Sequence, residues 1–363
     1  MGRQPCPMRR DVAIAVSPAP RYHRHASGGA VSSVGTTHSP LVDGHGRRLE
    51  YLRLSVTDRC NFRCAYCLPQ GCPKDAGSAP LGLDEIERLV RAFADLGFWK
   101  VRLTGGEPTL RRDIVEMVER VASVPGMRHV GITTNGYRLD ELAPALARAG
   151  LACLNVSVDS LDPDRFAAIT GAAGLHRVLA GVEAALDGGI ERVKVNVVLL
   201  AGTLEADLDR FLDWVRERPL TVRFIELMQT AGDPGYFVRN HVSAEALERL
   251  LEERGWTRQQ RTGAAGPAVD FVKKGHRGRI GVIAPYRKGF CAECNRLRVT
   301  AAGNLRLCLF DEREVPLRHL LASDGQRAAL AAAVRAAVGA KPEGHHLAEG
   351  RLGRDRSLAS IGG

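Results

Sequence analysis

From Tyr51 onward the chain alternates between short runs of apolar and β-branched residues and longer stretches whose apolar side chains recur every three or four positions. The first pattern is that of buried strands, the second that of amphipathic helices. Strand-like runs cover residues 51–56, 100–103, 129–133, 153–158, 192–199 and 221–225, and helical runs cover 83–96, 113–124, 139–148, 175–187 and 204–217. Gly97, Gly150, Gly188, Gly189 and Gly202 punctuate the turns. Six strands alternating with helices imply right-handed βαβ crossovers and a parallel sheet. Periodicity leaves open whether six units curl into an incomplete barrel or lie as an open, doubly wound sheet. In both, chemistry gathers at the carboxyl ends of the strands. Polar or glycine-rich turns stand there at 57–60, 104–107, 133–136, 157–160 and 226–228, with Asn196 on the fifth strand.

After Met228 the alternation stops. A helix is predicted near 244–254, short strands near 256–261, 269–273 and 279–283, and a helical end over 315–338. The division is an extension at 1–45, a core domain at 46–242, a C-terminal domain at 243–340 and a flexible tail at 341–363. The extension is rich in Arg, Ser, Gly, Pro and His, shows neither period, and is expected to be disordered. Arg9-Arg10 invites an export reading, but the apolar stretch after it, 12–16, is shorter than the ~7–15 residues of a signal core.

Apolar residues at 45% and charged residues at 25% are ordinary for a globular protein. No apolar run approaches the ~20 residues of a spanning helix, so a soluble, cytoplasmic protein without membrane contact is expected. The formal net charge of +10 suits nucleic acid or a small polyanion such as a triphosphate. Much of the surplus, at Arg3, Arg9, Arg10, Arg21, Arg24, Arg47 and Arg48, lies outside any folded pattern, so charge selects neither.

Nine cysteines in a long chain fit a disulfide framework poorly. Six fall in two tight groups, which suggests metal ligation in a reducing compartment. The first reads Cys60-Asn61-Phe62-Arg63-Cys64-Ala65-Tyr66-Cys67, a C-x3-C-x2-C loop leaving the first strand. Three thiolates in such a loop can hold three irons of a [4Fe–4S] cube, and no fourth cysteine follows at ferredoxin spacing. The fourth iron is left open, as a catalytic metal site requires. A structural zinc loop is the alternative; it wants a fourth ligand, and Cys72 is the one close candidate.

This loop, with an aromatic residue before its last cysteine and a βα series behind it, resembles the radical S-adenosylmethionine superfamily. The resemblance implies an open iron that chelates the amino and carboxylate groups of S-adenosylmethionine, whose reductive cleavage gives methionine and a 5′-deoxyadenosyl radical. Thr104-Gly105-Gly106-Glu107-Pro108 after the second strand is similar to that family's Gly-Gly-Glu motif, which meets the methionine amine.

The second group, Cys291, Cys294 and Cys308, has the spacing C-x2-C-x13-C. A zinc ribbon would want another pair or a histidine, and only His319 lies within reach downstream. A second three-thiolate [4Fe–4S] cluster matches the count; spacing alone leaves both readings open. Arg296 and Arg298 alternate, so on a strand they share a face, and arginine suits bidentate phosphate recognition. Arg53, Arg102 and Lys194 can aim into the same end of the sheet, or lie on solvated strand edges.

Together these stretches resemble the GTP 3′,8-cyclases of molybdenum-cofactor synthesis over residues 41–363. The matching words lie at 52–58, 101–108, 133–137, 155–161, 193–198 and 223–228, with the second cysteine group and the terminal Gly362-Gly363. The resemblance implies an incomplete (β/α)6 TIM-like barrel with a C-terminal α+β extension carrying a second cluster. It implies that Cys60, Cys64 and Cys67 hold the S-adenosylmethionine cluster, and that Tyr66, Gly106, Ser157 and Met228 contact S-adenosylmethionine. Cys291, Cys294 and Cys308 would hold the second cluster, which binds the purine of GTP. Arg53, Arg102, Thr133, Lys194, Arg296, Leu297 and Arg298 would bind GTP. Arg296, Arg298, Gly362 and Gly363 would take part in catalysis, the two glycines as a tail entering the site.

The implied reaction abstracts the ribose C3′ hydrogen, joins C3′ to guanine C8, and reduces the resulting radical. The implied partners are a flavodoxin-like electron donor, the pyranopterin monophosphate synthase that takes the product, and a second copy of the chain in a homodimer. Nucleic acid is not an expected partner. The extension, together with Cys6, Cys72 and Cys153, has no counterpart in the family pattern, and residues 357–360 lack an aromatic common there. Two rivals remain: a radical S-adenosylmethionine enzyme with an auxiliary cluster acting on RNA or a peptide, and a zinc-stabilised nucleic-acid-binding protein.

Overall fold

The structure, a computed structural model, describes residues 40–72, 79–231, 233–260 and 266–352. Six strands run consecutively and in parallel: β1 (Tyr51–Ser55), β2 (Lys100–Thr104), β3 (His129–Thr134), β4 (Cys153–Ser157), β5 (Arg192–Leu199) and β6 (Thr221–Glu226). The connecting helices are α1 (Leu83–Asp95), α2 (Ile114–Ala122), α3 (Leu139–Arg148), α4 (Pro163–Thr170), α5 (Leu175–Asp187), α6 (Thr203–Ala206) and α7 (Leu208–Glu217). They form where the sequence pattern places them, because each carries an apolar stripe at helical spacing. In α1, Ile86, Leu89, Val90 and Phe93 are buried while Asp84, Glu85 and Glu87 face outward. The predicted helix at 204–217 divides at Asp207, whose carboxylate turns into the core to accept from the Ser160 hydroxyl.

The six-unit core is open, and the chain beyond Met228 extends it without closing it into a barrel. After α8 (Pro234–Asn240) and α9 (Ala244–Glu253) come β7 (Thr257–Arg258), β8 (Val269–Val272), β9 (Arg279–Ile283), β10 (Arg296–Val299), β11 (Asn304–Arg306), β12 (Glu314–Pro316) and α10 (Arg327–Val338). The twelve strands form one sheet in the order β12-β11-β10-β1-β2-β3-β4-β5-β6-β9-β8-β7. The C-terminal segment therefore adds strands to both edges of the core, β10 parallel to β1 and β9 parallel to β6. A single helix over 315–338 is not what forms: β12 and two short 3-10 turns precede α10. Among the described residues no helix is long and apolar enough to cross a membrane.

Residues 40–45 correct the sequence reading, which assigns them to the disordered extension. Residues 1–39, with Cys6 and the Arg9-Arg10 pair, lie outside the described residues, but 40–45 are folded onto the sheet. Leu41 and Leu49 are buried and joined by the Leu49 amide donating to the Leu41 carbonyl at 2.8 Å. Asp43 accepts from the amides of His45 and Arg47 and pairs with Arg47 Nε at 2.6 Å. The Arg47 guanidinium then donates to the carbonyls of Cys291 (3.1 Å), Glu343 (2.7 Å) and Pro342 (2.6 Å). Read from sequence as surplus charge, Arg47 is a buried buckle joining the start of β1 to the second cysteine loop and the C-terminal segment. Arg47→Ala leaves the Asp43 charge buried without its partner and should cost about 3–5 kcal/mol in denaturant unfolding; Asp43→Asn combined with Arg47→Ala should recover part of that loss.

Candidate functional site

Two cavities adjoin, one at the carboxyl ends of the strands and one reaching back along the sheet to the first residues of β1, β2 and β10. The first is lined by Cys60, Cys64 and Cys67, by Tyr66, Gly105 and Gly106, and by Ser157, Asp159 and Met228. The second is lined by Cys291, Cys294 and Cys308 and by Arg53, Arg102, Lys194, Arg296 and Arg298. Thr133, Asn196, Ile225 and Met228 line both. At that shared boundary Thr133 Oγ1 and Asn196 Oδ1 are buried with no hydrogen-bond partner. Orphaned polar atoms are costly, and their place between two cavities points to ligand atoms that pair with them.

The first cysteine loop is fixed by backbone contacts. The Gly106 and Glu107 amides donate to the carbonyls of Thr57 (2.8 Å) and Arg59 (2.7 Å), while the Arg63 and Ala65 amides donate to the end of α4 at Thr170 and Ile169. This approach needs glycine. A Cβ on Gly106 would stand 2.2 Å from the Arg59 carbonyl oxygen, and Gly105 has φ +133 with the Thr57 oxygen equally close to its missing Cβ. The side chain of Glu107 does not face the cavity. It accepts from the Thr109 amide (2.9 Å) and hydroxyl (2.6 Å), the Thr134 hydroxyl (2.7 Å) and the Asn135 amide (2.6 Å), stitching the turn after β2 to that after β3. Tyr66 gives its hydroxyl to Asp159 at 2.8 Å, and Asp159 also accepts from the Val198 amide at 2.8 Å. Burial raises Asp159 to about 6 against the donors that oppose it.

The trio itself is half-buried and in no disulfide. Burial first, then Glu107 and the neighbouring thiols, lifts Cys60 to about 11, and burial with Asp159 and the other two thiols holds Cys64 well above its ordinary value. Three thiolates cannot coexist there unless a strongly cationic group sits among them, the demand an iron–sulfur cluster meets. Each cysteine trio lines one cavity, an arrangement that suits a polynuclear cluster. Cys72 sits outside the trio, its sulfur accepting from the Cys60 amide at 2.9 Å.

The second cavity is dominated by cations. Register sets Arg298, Arg53 and Arg102 side by side across β10, β1 and β2, and sets Arg296, Tyr51 and Lys100 in the next such row. Residues two apart on a strand share a face, so both rows point into the cavity. Lys100, Arg223 and Lys341 line it as well as the predicted cations, with Tyr51, Asn155 and Asn196 among the polar neighbours. Gly131 makes room for Arg102, whose guanidinium would lie 3.0 Å from a Cβ there. That guanidinium is committed to the Tyr51 hydroxyl (2.7 Å), the Ile132 carbonyl (2.8 Å) and Cys153 Sγ (3.4 Å). Leu297 differs from expectation: its side chain is in the apolar core, on the face opposite Arg296 and Arg298.

Crowding shows in the acidities. Burial, then Arg223, Arg102 and Lys100, brings Lys194 down to about 7. Burial with Arg102 and Arg296 outweighs Tyr51 and brings Arg53 to about 10, and burial beside Arg53 and Arg296 holds Arg298 well below the guanidinium range. Burial would raise Tyr51 and Cys294, but Arg102, Arg53 and Lys100 bring the first to about 7, and Arg296 and Lys341 bring the second to about 6. By contrast Cys291 is raised, chiefly by burial.

Sequence reasoning missed Lys100 and Arg223, although each alternates with a residue already singled out or stands two from a strand end. It missed Lys341, whose buried ammonium donates to the Leu307 carbonyl, because nothing in a polar C-terminal stretch marks it. Gly362 and Gly363 lie outside the described residues.

Comparison with known proteins identifies the families to which the chain is similar. Residues 54–215 match the Radical SAM superfamily, and residues 220–347 match the family Molybdenum Cofactor Synthesis C. The chain is 51% identical over 325 residues to GTP 3′,8-cyclase of Stenotrophomonas maltophilia (strain K279a), covering 90% of this chain and 100% of that protein. It is 48% identical over 323 residues to GTP 3′,8-cyclase of Yersinia pestis, covering 89% and 99%. Among solved structures, Streptococcus suis SuiB bound to S-adenosylmethionine superposes with a TM-score of 0.58 at 15% identity, covering 79% of this chain and 69% of that one. At that identity the likeness concerns the fold. The close approach at Gly106 yields a direct check: Gly106→Ala should preserve the far-ultraviolet circular dichroism yet bind markedly less iron after anaerobic reconstitution, and unchanged iron would refute the packing role given to this glycine.

Proposed function

The chain belongs to the GTP 3′,8-cyclase family of the radical S-adenosylmethionine superfamily, and on that premise we propose that it converts GTP to (8S)-3′,8-cyclo-7,8-dihydroguanosine 5′-triphosphate, the opening step of molybdenum-cofactor synthesis, with these two cavities as its active site. The observation that carries the assignment of the site is the shared wall. A thiol trio and a glycine turn lie on one side, a thiol trio and a dense cationic lining lie on the other, and unpaired Thr133 and Asn196 stand between.

Cys60, Cys64 and Cys67 hold the [4Fe–4S] cluster to which S-adenosylmethionine binds. When bound, that pair supplies a carbon-centred radical that can take hydrogen from the ribose. The chain's part is to place the two ligands against each other. The glycine turn offers backbone groups to the methionine end, Ser157 and Met228 line the same cavity, and the backbone of Tyr66 is held by the tie from its hydroxyl to Asp159. Thr133 and Asn196 are placed to meet the ribose that bridges the boundary. Arg53, Arg102, Lys194, Arg296 and Arg298, with Lys100 and Arg223, hold the triphosphate, while Cys291, Cys294 and Cys308 hold a second [4Fe–4S] cluster at the purine end. Arg298 lines the cavity beside Arg296 and is the proton donor to the cyclised base in this reading. Ordering substrates this way converts an encounter into an intramolecular reaction. The reading also includes a flavodoxin-like one-electron donor, hand-over of the product to pyranopterin monophosphate synthase, a homodimer, and entry of the Gly362-Gly363 tail; family membership supports these.

Anaerobic reconstitution tests the assignment. The protein should bind on the order of eight irons per chain and release 5′-deoxyadenosine only when GTP is supplied; equal turnover on RNA or a peptide, and none on GTP, would favour the rival radical enzyme. Cys308→Ala should keep S-adenosylmethionine binding, lose about half the iron, and fail to cyclise GTP.

Lys194 predicts a pH dependence. Its value near 7 in the free cavity must rise when a polyanion lies beside it, so the complex holds a proton that the free protein has released. GTP affinity should be level below pH 7 and fall above it until the value in the complex is passed. Calorimetry at pH 8 in buffers of different ionisation heat should record net proton uptake, reduced in Lys194→Gln, with the remainder from Tyr51, which also stands near 7 in the free cavity.

A further inference from the structure

Enzymes that handle nucleoside triphosphates commonly take the magnesium complex and hold the ion with a carboxylate or hydroxyl beside the phosphates. The second cavity is built otherwise. Arg53, Lys100, Arg102, Lys194, Arg223, Arg296, Arg298 and Lys341 line it, and among the described lining residues there is no aspartate or glutamate. The undescribed segment 261–265, which leads into the lining residues Gly266 and Pro267, contains Arg, Thr, Gly, Ala and Ala and brings no acid. The tail beyond residue 352 has one, Asp355, between Arg354 and Arg356.

Nearby negative charge comes from elsewhere. Asp270 on β8 faces Arg223 from outside the lining. Besides the Ile132 carbonyl, Arg102 is given a phenol and a thiol as partners, Tyr51 and Cys153, both shifted towards their ionised forms by neighbouring bases. The Cys153 thiol is too soft for magnesium, which prefers hard oxygen ligands in octahedral array, and the Tyr51 oxygen is already engaged by Arg102 Nε at 2.7 Å.

We propose that the chain binds GTP as the metal-free polyanion, and that magnesium bound to the triphosphate competes with the cavity for it. The inference rests on the GTP reading above and specifies the ionic form of that substrate. Magnesium cancels two of the negative charges the cations would meet and sets a dication among them, in a buried cavity where like-charge repulsion is least screened. Burial first, and then neighbouring cations, depress Lys194, Arg53 and Arg298 in the ligand-free cavity, while Tyr51 and Cys153 hold Arg102 up and the Cys294 thiol holds Arg296 up. A free triphosphate relieves the repulsion among these cations; a neutralised one relieves much less.

Equilibrium dialysis of the reconstituted holoenzyme against GTP, anaerobically at constant ionic strength, separates the outcomes. With EDTA present GTP should bind, and with magnesium saturating the nucleotide the apparent affinity should fall by about tenfold or more. The exchange-inert chromium(III) complex of GTP, which cannot shed its metal, should fail to compete. Equal or tighter binding in magnesium, or competition by the chromium complex, overturns the inference while leaving GTP as substrate. Absence of GTP binding in both media overturns the substrate reading and this inference with it.

Discussion

Like charges gathered in a buried place are unstable, and much of this structure serves to hold such a gathering together. The rows formed by Arg298, Arg53 and Arg102 and by Arg296, Tyr51 and Lys100 follow from strand register. Parallel strands place equivalent positions about 4.8 Å apart, which is close for guanidinium groups. Backbone hydrogen bonds of the sheet fix that spacing, so the repulsion cannot be relieved by small movements. The fold tempers it with groups of low basicity: Tyr51 and Cys153 answer Arg102, and the thiols of the second trio lie beside Arg296 and Lys341. The result is a surface prepared for negative charge before any ligand arrives, which is the sense in which a binding site is preorganised.

The thiol-bearing loops depend on a different constraint, the close approach of backbones. The Thr57 and Arg59 carbonyls accept from the Gly106 and Glu107 amides, and Arg63 and Ala65 are fastened to the end of α4. Such contacts position a loop more rigidly than side chains do, because few torsions separate the bonded atoms. Phe62 fills the space behind, edge-on to Tyr137 and Phe166 at about 6 Å between ring centres. The second loop has its own fastening in the Arg47 buckle, so each trio is anchored by a distinct part of the chain.

The sequence disclosed the elements with strong periods. The six core strands and most of their helices were legible because buried parallel strands and amphipathic helices write period and composition into the chain. Arg296 and Arg298 were legible through strand alternation, and both trios through spacing. Leu297 was carried along by its neighbours although alternation itself puts it on the other face. The role of Glu107 was hidden because four donors converge on it from two turns, and residues 40–47 were hidden because their hydrogen bonds run to residues almost three hundred positions away. No local pattern reports the addition of β9 and β10 to opposite edges of one sheet, since edge pairing is decided by tertiary contact.

That edge pairing bears on how the molecule is made. During synthesis the outer edge of β1 stands bare until Arg296–Val299 has left the ribosome, some two hundred and forty residues later, and the outer edge of β6 waits for Arg279–Ile283. Unpaired strand edges invite association with other chains. Nascent molecules should thus pass through a vulnerable interval in which the first thiol loop has been made but its supporting sheet is unfinished, and metal loading is best deferred until the last strands have closed both sides.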